Sequence, residues 1–369
     1  TFETGSSGNC HLLGDTDVDN TEDDTTSDVV LGDVNMDGNV DEVAVWNSDQ
    51  SANIATIYNS GTPNDITSLS PSAYWKLGEQ ARYNGTDWLI PNSISSNYSN
   101  FSFDFDGVDD YIDIPIGASV AGEAEVSISV WINPNTISGN NDRIFDEVTS
   151  TVTHTRLGLE RDGVTITMKW RDAANDPTGT AGTISTGNVL TVGVWTHIVG
   201  VYDSSSNEQK IYIDGVLNVT GTTTIDALGT STSAGTWIGS DYGSINAINA
   251  IISNVAVFDS ALTSGNVTTI YNSGKPADLT SLSPISWWRL GEDASFSTNW
   301  NVPDQIGSND GTSANMTLAD LVGDAPGITG SGTSDNMTIE DREGNAPNSD
   351  TNALSYNMDA ADVDTDVPS

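Results

Sequence analysis

Apolar and polar residues alternate with a period of two through the middle of the chain. Phe101, Phe103 and Phe105 alternate with Ser102 and Asp104. Val126, Ile128, Val130 and Ile132 fall on one face of an extended strand, and Val164, Ile166, Met168 and Trp170 on one face of another. This period marks strands that turn one face to a core. Residues 195–202 are apolar on both faces, as a central strand of a two-layer sandwich should be. Asp162-Gly163 and Asp214-Gly215 separate such runs and signal tight hairpins, because Gly accepts the positive φ of primed turns. The pattern predicts an all-β protein, a many-stranded antiparallel β-sandwich.

A long internal repeat sets the expected layout. Residues 43–79 read VAVWNSDQSANIATIYNSGTPNDITSLSPSAYWKLGE, and residues 255–292 read VAVFDSALTSGNVTTIYNSGKPADLTSLSPISWWRLGE. Each copy runs from a strand through a short helical turn, a Gly-Pro turn and a Ser-Leu-Ser-Pro linker to an aromatic strand. Read as a junction, each copy ends one domain and begins the next. Residues 1–62 are then the tail of a preceding β unit, 63–71 a linker and 72–274 one complete unit. Residues 275–284 form a second linker, and 285–369 a partial β unit grading into an acidic, loosely packed tail.

Charge removes several functions. Asp and Glu number 52 against 11 Lys and Arg, a net charge of −41. Such a surface repels phosphate, so nucleic acid is excluded as a partner. It suits salty water, where screening shortens self-repulsion, and it raises the local concentration of divalent cations. Cys10 is the single cysteine, so no intramolecular disulfide forms and a zinc site lacks its thiols. No apolar run is long enough for membrane insertion, and no signal peptide is visible. The chain begins with Thr and not Met, as a processed or partial product would.

Several motifs carry a family resemblance. They are Tyr74-Trp75-Lys76-Leu77-Gly78-Glu79, Phe105-Asp106-Gly107-Val108-Asp109-Asp110-Tyr111-Ile112, the run from Val126 to Pro134, the run from Gly193 to Asp203, Ile211-Tyr212-Ile213-Asp214-Gly215, and the closing strand from Ile252 to Phe258. In this order the segment resembles the laminin-G-like, concanavalin A-like lectin/glucanase jelly-roll family. The resemblance implies a concanavalin A-like jelly roll with partial flanking β units. The family's roles span sugar binding, adhesion and structural decoration, so fold alone does not select one. The short linkers, the Ser/Thr-rich strands and the tail from Asn352 to Pro368 are similar in style to marine bacteriophage particle proteins.

Candidate chemistry is sparse. Related glucanases carry an E-x-D-x-x-E strand, which is missing here; Glu123-Ala124-Glu125 comes nearest and precedes its strand. His197 lies in a core-like strand and reads as a packed histidine, not a catalyst. A non-enzymatic chain is therefore expected. Calcium is the candidate cofactor. Asp33, Asn35, Asp37 and Asp41 occupy loop positions one, three, five and nine, with Gly38 at six, but Ala44 stands where a bidentate carboxylate belongs. Asp106 and Asp109, with Asp110, form a second candidate around Gly107. A plain Asx-stabilised turn competes with calcium at both places. Glycan binding needs aromatic faces on loops: Trp170, Trp237 and Tyr242 are the candidates, while Trp75, Trp131 and Trp195 read as core. The expectation is an extracellular structural protein of a virion or cell-surface appendage, with copies of itself, other particle proteins or a glycan as partners. A calcium-dependent bacterial adhesin is the alternative, and a glycoside hydrolase the less favoured one.

Overall fold

The computed structural model describes residues 11–13, 28–31, 42–94, 99–115, 119–149, 154–176, 179–241, 245–328, 331–334, 337 and 339. Two compact units divide the chain, one of residues 1–96 and 328–369 and one of residues 97–327.

In the first unit, β1 (His11–Leu13), β2 (Asp28–Leu31), β3 (Glu42–Trp46) and β4 (Ala73–Lys76) form an antiparallel sheet in that order. Between β3 and β4 lies the short helix α1 (Ile54–Tyr58), and after β4 the turn α2 (Leu77–Gln80). A second small sheet joins β5 (Arg82–Tyr83), β6 (Trp88–Ile90) and, from far along the chain, β24 (Gly332–Thr333). Ala44, Trp46, Ile66 and Tyr74 pack together, and the Trp46 indole donates to the Leu69 carbonyl at 3.1 Å.

The second unit contains β7 (Ser102–Asp106), β8 (Tyr111–Ile114), β9 (Glu125–Pro134), β10 (Asp142–Thr149), β11 (Thr155–Asp162), β12 (Thr165–Trp170), β13 (Gly182–Ser185), β14 (Thr196–Asp203), β15 (Glu208–Ile213), β16 (Val216–Gly221), β17 (Ser233–Ile238) and β18 (Asn249–Phe258). Helix α3 (Ser264–Tyr271) follows, then β19 (Ser286–Trp288), β20 (Ser295–Phe296), β21 (Trp300–Val302), β22 (Gly311–Ala314) and β23 (Leu321–Val322). One sheet runs β16-β15-β14-β9-β18-β7-β23, with β19 also on β18; the other runs β13-β12-β11-β10-β17-β8-β22-β21-β20. All pairings among the described residues are antiparallel, and the expected sandwich is present.

Contacts between the layers show how it closes. Phe103 of β7 meets Trp300 of β21 with ring centroids 5.0 Å apart, and Trp170 of β12 meets Tyr202 of β14 at 6.0 Å. At Gly200 a Cβ would lie 3.0 Å from Leu159 and from Met168, so the glycine lets the opposite sheet approach. Strand β9 is buried on both faces because α3 and its flanks cover the outside of its sheet. There Val199, Val201, Tyr212, Ala256, Phe258, Val267, Ile270 and Trp287 form one apolar cluster. The Asp214-Gly215 hairpin forms as expected, with φ of 49° and 80°. The other turn is offset by one residue: Asp162 still pairs with Thr165, and Gly163 takes the positive φ of 61°.

The domain boundaries require correction. The expected complete unit, 72–274, becomes 97–327, and residues 285–327 are not the head of a following unit. The reason is that each repeat closes on itself. Val255 pairs with Trp288 as Val43 pairs with Trp75, so the aromatic strand returns to the strand that opened its own copy. Backbone detail repeats as well: Asn59, Ser60 and Ser70 share left-handed φ values with Asn272, Ser273 and Ser283. Asp65 accepts from the Thr67 amide and hydroxyl as Asp278 does from Thr280. The likeness extends past the Leu-Gly-Glu motif. Asn92 Oδ1 accepts from the Tyr74 amide at 3.0 Å, and Asp304 Oδ1 from the Trp287 amide at 3.0 Å. Glu292, from that motif, accepts from the amides of Asn100 and Phe101 and so holds the approach to β7.

Candidate functional site

The outer face of the nine-stranded sheet carries a row of mostly polar residues, one from each strand. In pairing order it is Thr183, Lys169, Gly158, Asp146, Trp237, Asp113, Thr312, Asn301 and Ser295. The neighbouring register, Ile184, Met168, Leu159, Phe145, Ile238 and Ile112, faces the core instead. The strict alternation of β12 thus delivers one dry face and one polar face. At Gly158 the neighbouring side chain packs close to the backbone: a Cβ there would lie 2.9 Å from Asp146 Oδ1.

Asp146 and Lys169 of this row line a cleft of about 280 Å³, together with Arg143, Thr155, Arg171, Asp241 and Ile245 among others. Arg143 Nε stands 3.5 Å from Asp146 Oδ2 and 3.3 Å from Asp241 Oδ2. Its Nη1 pairs with Glu160, which Lys169 also meets at 2.8 Å. Thr155 Oγ1 donates to Asp146 Oδ2 at 3.2 Å, and Asn246 to Asp241 Oδ2 at 2.8 Å. Among the described residues, three buried polar atoms here have no hydrogen-bond partner: Asp146 Oδ1, Asp241 Oδ1 and Arg171 Nη1. Burial pushes the Asp146 carboxyl up to about 8, with Asp241's charge adding to the shift and Arg143 opposing it. Burial likewise lowers Lys169 and Arg171. Buried polar groups ordinarily find partners, so these three atoms distinguish the cleft.

The residues expected from sequence are placed differently. Trp170 is 4% exposed and Trp237 8%, so neither offers the open ring face that sugar stacking requires. Trp170 belongs to the core register, and Trp237 lies against Gly235, where a Cβ would come within 2.6 Å of its ring. Tyr242 lies outside the described residues, as do Asp33, Asn35, Asp37 and Asp41. Trp131 is core, whereas Trp75 and Trp195 are half-buried, and the Trp195 indole donates to Asp324 at 2.9 Å.

The carboxylates of Asp106, Asp109 and Asp110 do converge, with ligand oxygens within 4.8 Å of one another. Two of them already serve the turn. Asp106 Oδ1 accepts from the amides of Val108 and Asp109, and Asp110 Oδ2 from that of Asp106. Burial and the neighbouring carboxylates push Asp110 up to about 6. This donor set fits a hard cation, which would relieve the mutual repulsion.

His197 is wholly buried between Trp131 and Tyr271, its Nε2 2.9 Å from Ser129 Oγ, and burial pushes it down to about 3. It is a neutral core residue.

A family model described as the concanavalin A-like lectin/glucanases superfamily matches residues 106–268. That segment has a concanavalin A-like fold. Solved structures similar to this chain include a candidate carbohydrate binding protein from Bacteroides ovatus, at 18% identity and TM-score 0.47, covering 62% of this chain and 61% of that one. A SAP-like pentraxin from Limulus polyphemus matches at 17% identity and TM-score 0.35, covering 47% of this chain and 82% of that one. NanB sialidase from Streptococcus pneumoniae matches at 17% identity and TM-score 0.38, covering 46% of this chain and 27% of that one. Among curated proteins, none matches.

Cleft residues Arg143, Asp146, Lys169, Arg171 and Asp241 were missed in the sequence. One signal pointed there: five of the eleven basic residues, Arg143, Arg156, Arg161, Lys169 and Arg171, fall within one short stretch of a strongly acidic chain.

Proposed function

We propose that the concanavalin A-like domain is a non-enzymatic carbohydrate-binding module that holds a glycan along the outer face of its nine-stranded sheet. The supporting observation is the polar row, centred on a cleft whose buried donors and acceptors are left unpaired. Hydroxyl-rich ligands satisfy such groups, and exposed Ile245 at the cleft presents an apolar surface for a sugar's CH face. An extracellular or particle-borne setting, with the domain used for attachment, suits the acidic surface and the repeated structural corners. Calcium at Asp106, Asp109 and Asp110 would be an accessory to attachment.

A hydrolase reading has one observation in its favour. Asp146, protonated near neutrality, and Asp241 both face the cleft, as an acid and base should. Against it, the Arg143 guanidinium is bonded to both carboxyls and occupies the gap a scissile oxygen must enter.

Glycan-array screening followed by calorimetry tests the proposal. Binding without product release is expected, weakened by Lys169→Ala and Asp113→Ala together. Absence of any glycan ligand, or release of reducing sugar, overturns it.

A further inference from the structure

We infer that the cleft selects a saccharide bearing a carboxylate, with Arg171 as its anion receptor. This rests on the carbohydrate-binding reading above and names the ligand class for that same site.

Charge is divided unevenly around the cleft. Arg143 is engaged by Asp146, Asp241 and Glu160, and Lys169 by Glu160. Arg171 is different. Its Nε donates to the Thr155 carbonyl at 3.4 Å, while its Nη1 is buried without a partner among the described residues. The residue is only 6% exposed, and an unpaired buried guanidinium nitrogen is costly. Asp176 lies close enough to favour the charge but makes no ion pair with it among the described residues. A planar carboxylate is the natural complement of a guanidinium edge.

Asp146 supplies the second half. Its Oδ2 already accepts from Thr155 and faces Arg143, leaving Oδ1 as the atom to carry a proton. A neutral carboxyl then donates to the ligand instead of repelling it. Gly158 has no Cβ to crowd Oδ1; one there would lie 2.9 Å from it. The other charged or titratable groups facing Asp146 are Arg143, Lys169, Arg171, His154 and Asp241, with Glu160 behind the two cations it pairs. A neutral sugar would leave the Arg171 charge unanswered. A carboxylated sugar answers it, in a chain whose remaining surface repels anions.

The test is calorimetric titration of the full chain with a galacturonic acid oligosaccharide and with the same oligosaccharide carboxyl-reduced to its neutral form. The acidic ligand should bind more tightly by about tenfold to hundredfold, the usual effect of one charge-assisted hydrogen bond. Its affinity should hold or rise between 50 and 500 mM NaCl, because salt screens the distant acidic surface more than a buried contact. It should fall above pH ~8 as Asp146 ionises, and Asp146→Asn, which keeps a donor, should remove that fall. Arg171→Gln should abolish the preference. If that variant does not fold, Lys169→Gln and the Asp146→Asn pH profile decide the question. Equal or tighter binding of the neutral oligosaccharide overturns this inference alone. Binding of neither overturns the carbohydrate reading with it.

Discussion

Single residues in this domain hold charge in unusual surroundings, and each has a measurable consequence. Arg156 is fully buried, pairs with Glu147 and donates to the Ser231 carbonyl. Glu147 is also held by the Ser119 hydroxyl and the Val120 amide. Arg156→Met removes the countercharge from a buried carboxylate and should destabilise the domain by roughly 3–5 kcal/mol in urea unfolding. Asp146 and His197 set opposite pH dependences. With its folded value raised to about 8, Asp146 retains a proton that the unfolded chain releases above pH ~4, so its contribution to stability declines as pH rises from 4 to 8. Asp146→Asn should gain on the parent protein progressively across that window in thermal melts. His197, lowered to about 3, refuses a proton that the unfolded chain accepts, so stability falls as pH drops below about 6.5. The functional residues were hard to see in sequence for a physical reason. In β12, Thr167 and Lys169 alternate with Ile166, Met168 and Trp170, and such polar positions look the same whether they meet solvent or a cleft. Only the strand register and the return of Asp241 to Arg143 across 98 residues assemble the site.

At the scale of elements, the strands were legible because burial imposes period two, and both hairpins were marked by their glycines. Domain closure was not legible, since a repeated strand-helix-strand run looks alike whether it links two domains or folds back. Pairing decides. Strand β19 lies on β18, β22 on β8 and β23 on β7, so residues 285–327 complete both sheets. A fragment of residues 97–327 should melt cooperatively, and one ending at residue 284 should not, as followed by near-ultraviolet circular dichroism. Within the corner, Asp304 accepts from the amides of Trp287, Ile306 and Asn309. Asp304→Ala strands these donors and should cost about 1–3 kcal/mol.

For the whole molecule, the net charge of −41 opposes compaction. Raising NaCl from 20 mM to 1 M should increase the melting temperature through screening, and unchanged melting would show that the carboxylates are too dispersed to repel. The twin corners raise a different issue. Strand 43–46 is nearly interchangeable with strand 255–258, so while folding either could capture the other's aromatic partner. Chain statistics set the odds. Joining Val43 to Trp288 instead of Trp75 closes a loop roughly eight times longer, a penalty of about 2 kcal/mol in chain entropy. Sequence proximity thus guards a duplicated architecture against self-exchange, and shortening the segment between the copies would weaken that protection.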